Sequence, residues 1–301
     1  MEVEVISRSG KDLGKFSITD KLTVKDFKKM FNQKHKQWSP ERQKFTIKTP
    51  TGAALYEEEK TLVEYLKGDK VLVFRDLGTQ LSWRFVYMVE YAGPLFICPA
   101  LYCLPHLFYG EEAAKTITQK ICFWLIMGHF LKRELESLFV HRFSNATMPL
   151  KNLFVNCTYY WILNGAFIGY FLFHPKYTDP NFSAATLGAL LVVFLGSEFM
   201  NFLCHMVLRN LRPAGTKTRG IPKGCGFDLV SCANYFWEVI SWASFAVLSA
   251  CLPAYVFLLA TIYILSNWAS LRHRKYKKEF DGKEGKLLYP RSRKALFPFI
   301  F

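Results

Sequence analysis

Residues 185–212 read ATLGALLVVFLGSEFMNFLCHMVLRNLR. Up to Leu208 the run is apolar over the roughly 20 residues a helix needs to cross about 30 Å of hydrocarbon. Yet Glu198, Asn201 and His205 interrupt it at spacings of three and four, which places them on one face of a helix. Arg209 and Arg212 extend that stripe if the helix continues past the membrane. An ionisable group inside a bilayer costs about 2.5 to 3.5 kcal/mol on insertion scales. Such a stripe faces a protein interior or a polar cavity, not lipid.

Outward from this run lie five more apolar stretches, near 82 to 105, 119 to 140, 157 to 174, 235 to 251 and 253 to 271, about six spans in all. The last two are short and split at Leu252 and Pro253, so they also read as one broken hairpin. The second carries His129, Lys132, Arg133 and Glu136 on one face, the fifth opens with Asn234, Tyr235 and Glu238, and the first holds Glu90. Taken singly, each is accounted for by snorkelling or by a local pair such as Lys132 with Glu136. Together they predict one polar cavity at the cytosolic ends of the spans. Loop charge sets that orientation: Arg209, Arg212, Lys217, Arg219 and Lys223 follow the fourth span and Arg272, Arg274, Lys275, Lys277 and Lys278 the sixth, whereas 174–184 holds only Lys176. Both termini are therefore expected in the cytosol. The sequon at Asn181 then faces the lumen and that at Asn145 the cytosol.

Composition agrees with a membrane protein that has basic surfaces: 51% apolar and 17% aromatic residues, with 39 Lys and Arg against 24 Asp and Glu. The cations sit between apolar runs rather than on a folded polar face, which argues against nucleic acid. Cys98, Cys103, Cys122, Cys157, Cys204, Cys225, Cys232 and Cys251 show no C-x-x-C and no zinc spacing, so they read as small buried hydrophobes and no metal is expected. Met1 to Lys15 is polar and alternating, unlike a cleaved signal.

Residues 1–77 read as a separate soluble domain, with 78–301 as the membrane domain. Val3 and Val5 alternate with Glu2 and Glu4, a turn follows at Ser9 to Asp12, and Phe16 and Ile18 alternate again, a hairpin pattern. Thr23 sits three residues before Asp26 at the start of a helix carrying Val24, Phe27 and Phe31 to about Lys34. A strand at Phe45 and Ile47, a helical stretch near 62–66 and a strand at Val71 and Val73 complete a β-β-α-β-β order. That order resembles the ubiquitin-like β-grasp, without a free Gly-Gly tail, and fits a docking or stabilising role.

Residues 212–220, RPAGTKTRG, join cations to flexible backbone, which suits a pyrophosphate and a ribose phosphate as well as an anionic lipid headgroup. No G-x-G-x-x-G follows a strand, so a Rossmann site is not expected.

With these residues in view, the chain resembles the steroid 5α-reductase superfamily and, within it, the very-long-chain trans-2-enoyl-CoA reductases. The superfamily pattern lies in LRNLR at 208–212, IPKG at 221–224, VSCANYFWE at 230–238, His273, Tyr276, Phe280 and RKALFPFI at 293–300. The enoyl reductase branch is marked by EYAGPLF at 90–96, LFVHRFS at 138–144 and NCTYYW at 156–161. Arg219, where steroid-reducing relatives often carry Tyr, and Cys225, where a second Gly is usual, depart from the pattern.

The resemblance implies an endoplasmic-reticulum enzyme for the last step of fatty acid elongation, in which NADPH gives a hydride to Cβ of a very-long-chain trans-2-enoyl-CoA. It implies Tyr235 as the proton donor to Cα, since phenols ionise near pH 10 and stay protonated at neutral pH. Lys132 is expected to stabilise the phenolate or hold the thioester oxygen, and Glu90 matches an acid that touches substrate in steroid reductases. Asn201, Arg212, Arg219, Asn234, His273 and Tyr276 match or neighbour cofactor contacts, and His205 and Lys217 join them on stripe and charge. Besides membrane lipid, the implied partners are a condensing elongase, a 3-ketoacyl-CoA reductase and a 3-hydroxyacyl-CoA dehydratase. The competing readings are a 3-oxo-Δ4-steroid or polyprenol reductase and a non-catalytic ubiquitin-like membrane adaptor.

Overall fold

The computed structural model describes residues 1–48, 54, 55, 58–143, 146–212, 220–283 and 285–301. The chain divides into two compact units, Met1–Trp83 with Asn145–Asn152, and Arg84–Ser144 with Leu153–Phe301.

In the first unit, β1 (Glu2–Ser7) turns through Gly10, at φ +87°, into β2 (Asp12–Ser17). Helix α1 (Val24–Lys34) follows, then β3 (Gln43–Ile47), the short α2 (Leu62–Leu66), β4 (Val71–Asp76) and β5 (Gln80–Ser82). The sheet order is β2-β1-β4-β3, with β1 and β4 parallel and the outer pairs antiparallel. The Thr23 hydroxyl caps α1 by accepting from the Asp26 N–H at 3.2 Å, which satisfies one of the open donors of the first turn. The spacing of Val24, Phe27 and Phe31 turns all three into a core shared with Val3, Val5, Phe16, Phe45 and Phe74. Phe31 meets Phe45 edge-on at 5.2 Å and Phe74 at 5.1 Å, contacts worth about 0.5 to 1.5 kcal/mol each beyond their buried area. A small ladder, absent from the sequence reading, pairs Gln80, Leu81 and Ser82 of β5 with Pro149, Met148 and Thr147 of β6 (Thr147–Pro149).

The second unit is helical: α3 (Trp83–Cys103), α4 (Pro105–Tyr109), α5 (Ile117–Leu135), α6 (Leu150–Cys157), α7 (Gly169–Leu172), α8 (Ala184–Asn210), α9 (Ala233–Ser249) and α10 (Leu252–Glu279). Among the described residues three helices, α3, α8 and α10, are long and apolar enough to cross a membrane. The other stretches fall short for separate reasons. Helix α5 carries Lys120, Lys132, Arg133 and Glu134 in 19 residues. Helix α9 is 17 residues long. The third stretch is a composite in which the π-helical turns of Thr158–Ile168 separate α6 from α7.

Large apolar side chains such as Phe96, Trp124, Val192 and Tyr263 point outward, the surface of a membrane protein. Two boundaries differ from the sequence reading. Helix α8 stops at Asn210, so Arg212 lies beyond the helical stripe. Helix α10 runs to Glu279 rather than 271 because its basic end is made of good helix formers. The break before α10 is sharp: Ala250 takes a left-handed φ of +43° and Pro253 occupies the first turn, where proline costs no hydrogen bond.

Candidate active site

Three polar stripes meet where α5, α8 and α9 pack. From α5, His129 sits between two carboxylates, its Nδ1 3.0 Å from Glu198 Oε1 and its Nε2 3.5 Å from Glu238 Oε1. One turn on, Lys132 Nζ donates to Glu198 Oε2 at 3.1 Å and Asn201 Oδ1 at 2.6 Å. The Asn201 amide donates onward to the Asn234 carbonyl at 2.8 Å and to Glu238 Oε2 at 3.2 Å. Trp242 Nε1 donates to Glu238 Oε1 at 3.1 Å. Lys132, Asn201 and Asn234 thus belong to one buried network. Within it the Lys132 ammonium meets the Glu198 carboxylate, the opposite-charge pairing by which ions persist in a low-dielectric interior.

A second cluster lies next along α5. Arg133 donates to Glu136 Oε2 at 2.7 Å and to the Tyr91 hydroxyl at 2.9 Å, and its Nη1 lies 3.3 Å from His205 Nδ1. His205 Nδ1 is 3.0 Å from Glu136 Oε1, and the His141 and His205 rings are 4.9 Å apart. Glu136 begins the π-helical Glu136–Val140 that ends α5, a wider turn of the kind found at functional sites. Glu136, His141 and His205 offer donor atoms within 4.8 Å of one another. A guanidinium already occupies one oxygen of that carboxylate and Lys132 lies 3.6 Å from the other, so a metal ion would enter against two positive charges. The group is better read as a histidine–carboxylate pair.

The remaining sequence candidates lie in other settings. Glu90, buried on α3, accepts from the Asn156 amide at 2.6 Å. The Tyr235 ring packs under the Arg272 guanidinium at 5.6 Å and beside Trp268 at 6.3 Å. His273 bonds Ser231, and Tyr276 stacks on Tyr289. Arg212 donates to the Arg142 carbonyl at 2.7 Å while Arg142 donates to the Arg212 carbonyl. Lys217 and Arg219 lie outside the described residues.

Tyr91, Asn156 and Ser231 had a signal only in their places within the EYAGPLF, NCTYYW and VSCANYFWE runs, and Arg272 and Tyr289 had none from stripe spacing; each meets its partner only across elements. His141 had a signal, its place in the LFVHRFS run. Of the buried atoms of this region, Asn234 Oδ1 and His141 Nδ1 are among those with no hydrogen-bond partner among the described residues. A buried polar atom without a partner costs about 1 to 3 kcal/mol, so both are poised for a polar ligand. An amide oxygen and a histidine nitrogen left open in the same unit as the cationic side chains of Arg133, Arg142 and Arg212 fit a dinucleotide.

Apolar helices that turn their large side chains outward and keep ion pairs inside mark the class as a membrane protein; the chain is an oxidoreductase that belongs to the 3-oxo-5-alpha-steroid 4-dehydrogenase family, whose model matches residues 146–301. Within it, the chain is similar from end to end to a very-long-chain enoyl-CoA reductase of Dictyostelium discoideum, at 40% identity over 100% of this chain and 99% of the relative. It is 41% identical to a probable very-long-chain enoyl-CoA reductase of Caenorhabditis elegans, over 94% and 92% of the two chains. A trans-2,3-enoyl-CoA reductase-like protein of Bos taurus is 31% identical over 94% of this chain and 78% of its own.

Proposed function

We propose that the chain reduces the Cα=Cβ double bond of very-long-chain trans-2-enoyl-CoA thioesters with NADPH, the last step of the fatty acid elongation cycle, as a multi-pass endoplasmic-reticulum protein with both termini in the cytosol. The observation that carries this reading is the end-to-end likeness to relatives named very-long-chain enoyl-CoA reductases. The cofactor supplies a hydride to Cβ. Asn201, His205, Arg212, Asn234, His273 and Tyr276, with Lys217 and Arg219 of the basic loop, are its proposed holders. Asn234 Oδ1, without a hydrogen-bond partner among the described residues, supports this as an acceptor suited to a carboxamide N–H.

Tyr235 holds the proton delivered to Cα, leaving a phenolate beside the Arg272 guanidinium. Lys132, steadied by Glu198 and Asn201, is placed in the role of stabilising developing negative charge on the thioester oxygen. Glu90, held by Asn156, lines the substrate side.

Six crossings are supported by α3, α5, the composite 150–172 stretch, α8, α9 and α10. The mixed sheet with its parallel central pair and α1 packed on its apolar face supports a ubiquitin-like β-grasp at 1–77, with 78–301 as the reductase domain. Such a domain suits docking to the condensing elongase, 3-ketoacyl-CoA reductase or 3-hydroxyacyl-CoA dehydratase of the cycle.

Microsomes carrying the chain, given NADPH and trans-2-hexadecenoyl-CoA, are expected to form the saturated acyl-CoA. The family description makes a 3-oxo-Δ4 steroid the substrate to run in parallel. Turnover of the steroid alone, or of neither, overturns the proposal.

A further inference from the structure

Among the described residues, His273, on α10, is hydrogen-bonded through its Nδ1 edge. Its Nδ1 lies 2.6 Å from Ser231 Oγ, and the same oxygen lies 2.6 Å from the Tyr289 hydroxyl. Ser231 and Tyr289 are 1% and 3% exposed, whereas His273 is only partly buried. The pair is rigidly mounted. The Ser231 N–H donates to the Lys294 carbonyl at 2.8 Å and the Tyr289 N–H to the Phe280 carbonyl at 2.9 Å. The Tyr289 ring stacks on Tyr276 at 5.4 Å and 8° and lies 5.5 Å from the Arg293 guanidinium.

Serine has a single hydroxyl proton for two close neighbours, so the direction of the chain is decided by acidity. A phenol is the stronger donor and weaker acceptor of the two hydroxyls. Tyr289 therefore donates to Ser231 Oγ and Ser231 donates to His273 Nδ1. An imidazole that accepts at Nδ1 carries its proton on Nε2.

We propose that Tyr289 and Ser231 form a positioning relay that fixes His273 as the Nε2–H tautomer, presenting its outer edge as a hydrogen-bond donor to an acceptor oxygen, ribose or phosphate, of the dinucleotide. This rests on the cofactor reading above. Neither Ser231 nor Tyr289 touches the cofactor in this arrangement; both act through the imidazole. The reversed chain, with Nδ1–H donating to Ser231, would present a bare Nε2 lone pair, which could only accept from a ribose hydroxyl and would repel a phosphate oxygen.

The test uses the full-length chain in microsomes or detergent, with NADPH binding followed by its own fluorescence alongside steady-state turnover. Ser231→Ala and Tyr289→Phe are expected to raise the NADPH Kd and KM about tenfold, the scale of one lost oriented hydrogen bond, while kcat at saturating NADPH stays within about twofold. Ser231→Thr, which keeps the hydroxyl, is expected to retain the wild-type KM. His273→Gln places an amide N–H where Nε2–H stood and needs no relay, so adding Ser231→Ala to it should cause no further loss. An equal loss from Ser231→Ala in both backgrounds, or a fall in kcat with KM unchanged, overturns the relay in favour of a purely structural serine. If Tyr289→Phe fails to accumulate, the Ser231→Ala and Ser231→Thr pair decides alone. Wild-type protein that binds NADPH but does not reduce the enoyl thioester overturns the proposed reaction and leaves the relay to be judged by the binding series.

Discussion

Phe27, Phe31, Phe45 and Phe74 fill the interior of the Met1–Trp83 unit, and of the polar side chains buried among the described residues only Gln43 belongs to it. The helical unit does the reverse, burying Glu90, His129, Glu136, Glu198, Asn201 and His205 while turning Phe96, Trp124, Val192 and Tyr263 outward. Water outside the first unit rewards apolar burial. Lipid outside the second gives no such reward, so its helices are joined by shape and by polar contacts whose alternative is an unsatisfied charge in hydrocarbon. The same twenty side chains therefore carry opposite meanings in the two halves.

The contrast is sharpest if the polar interior is a working site rather than a structural lock. Tyr235→Phe removes only a hydroxyl, and is expected to cut enoyl-CoA reduction by about 10²- to 10⁴-fold with the fold intact, measured as kcat beside a thermal melt in detergent. Unchanged turnover would remove Tyr235 as the proton donor. Glu198→Ala, by contrast, leaves His129 and Lys132 facing a gap and should destabilise the helical unit by about 3 to 5 kcal/mol. A melt that does not shift would mean that these charges are solvated rather than mutually paired.

Phe31→Ala probes the other half. A cavity at this fully buried ring should cost the small unit about 3 to 5 kcal/mol, read by limited proteolysis, while enoyl reduction by the same full-length chain persists. Gly93→Ala tests the close approach of elements within the helical unit, because a Cβ there would overlap the Trp161 indole that donates to the Val89 carbonyl at 3.0 Å. About 1 to 3 kcal/mol of overpacking is expected, with the overlap removed by Trp161→Ala, which takes away the ring atoms that the new Cβ meets.

The smallest effect belongs to the surface of the first unit. Arg42, hydrogen-bonded to Asp76 through two nitrogens, holds that carboxyl below the usual aspartate range, with the Gly78 N–H assisting. Its stabilisation is therefore present above about pH 4 and is lost as pH falls through the lower folded value. An acid titration of Arg42→Gln should lack that part of the transition, and raised salt should weaken it in the parent chain.

Much of the fold was legible because its signals are local. Alternation at Val3 and Val5 led to β1, the Thr23 and Asp26 pair to the start of α1, and apolar runs to α3, α8 and α10. The β5–β6 ladder was not legible, since Gln80 to Ser82 and Thr147 to Pro149 are too short to show alternation and are joined only by pairing. Nor were the π-helical turns at Glu136–Val140 and Thr158–Ile168, whose residues read as ordinary helix formers and whose geometry follows from packing. Of the site, the stripes on α5, α8 and α9 were visible from spacing, whereas the partners Asn156, Arg272, Ser231 and Tyr289 were not.

By itself, then, the run from 185 to 212 determined that a membrane helix carries Glu198, Asn201 and His205 on one face, because helical periodicity and the cost of charge in hydrocarbon are properties of a single segment. Only the tertiary structure decided that Glu198 answers His129 and Lys132, that His205 answers Glu136, and that Arg212 falls past the helix end against Arg142. A sequence states which groups must be neutralised. Which partner does so is set by how helices far apart in the chain pack, and that is a property no one segment contains.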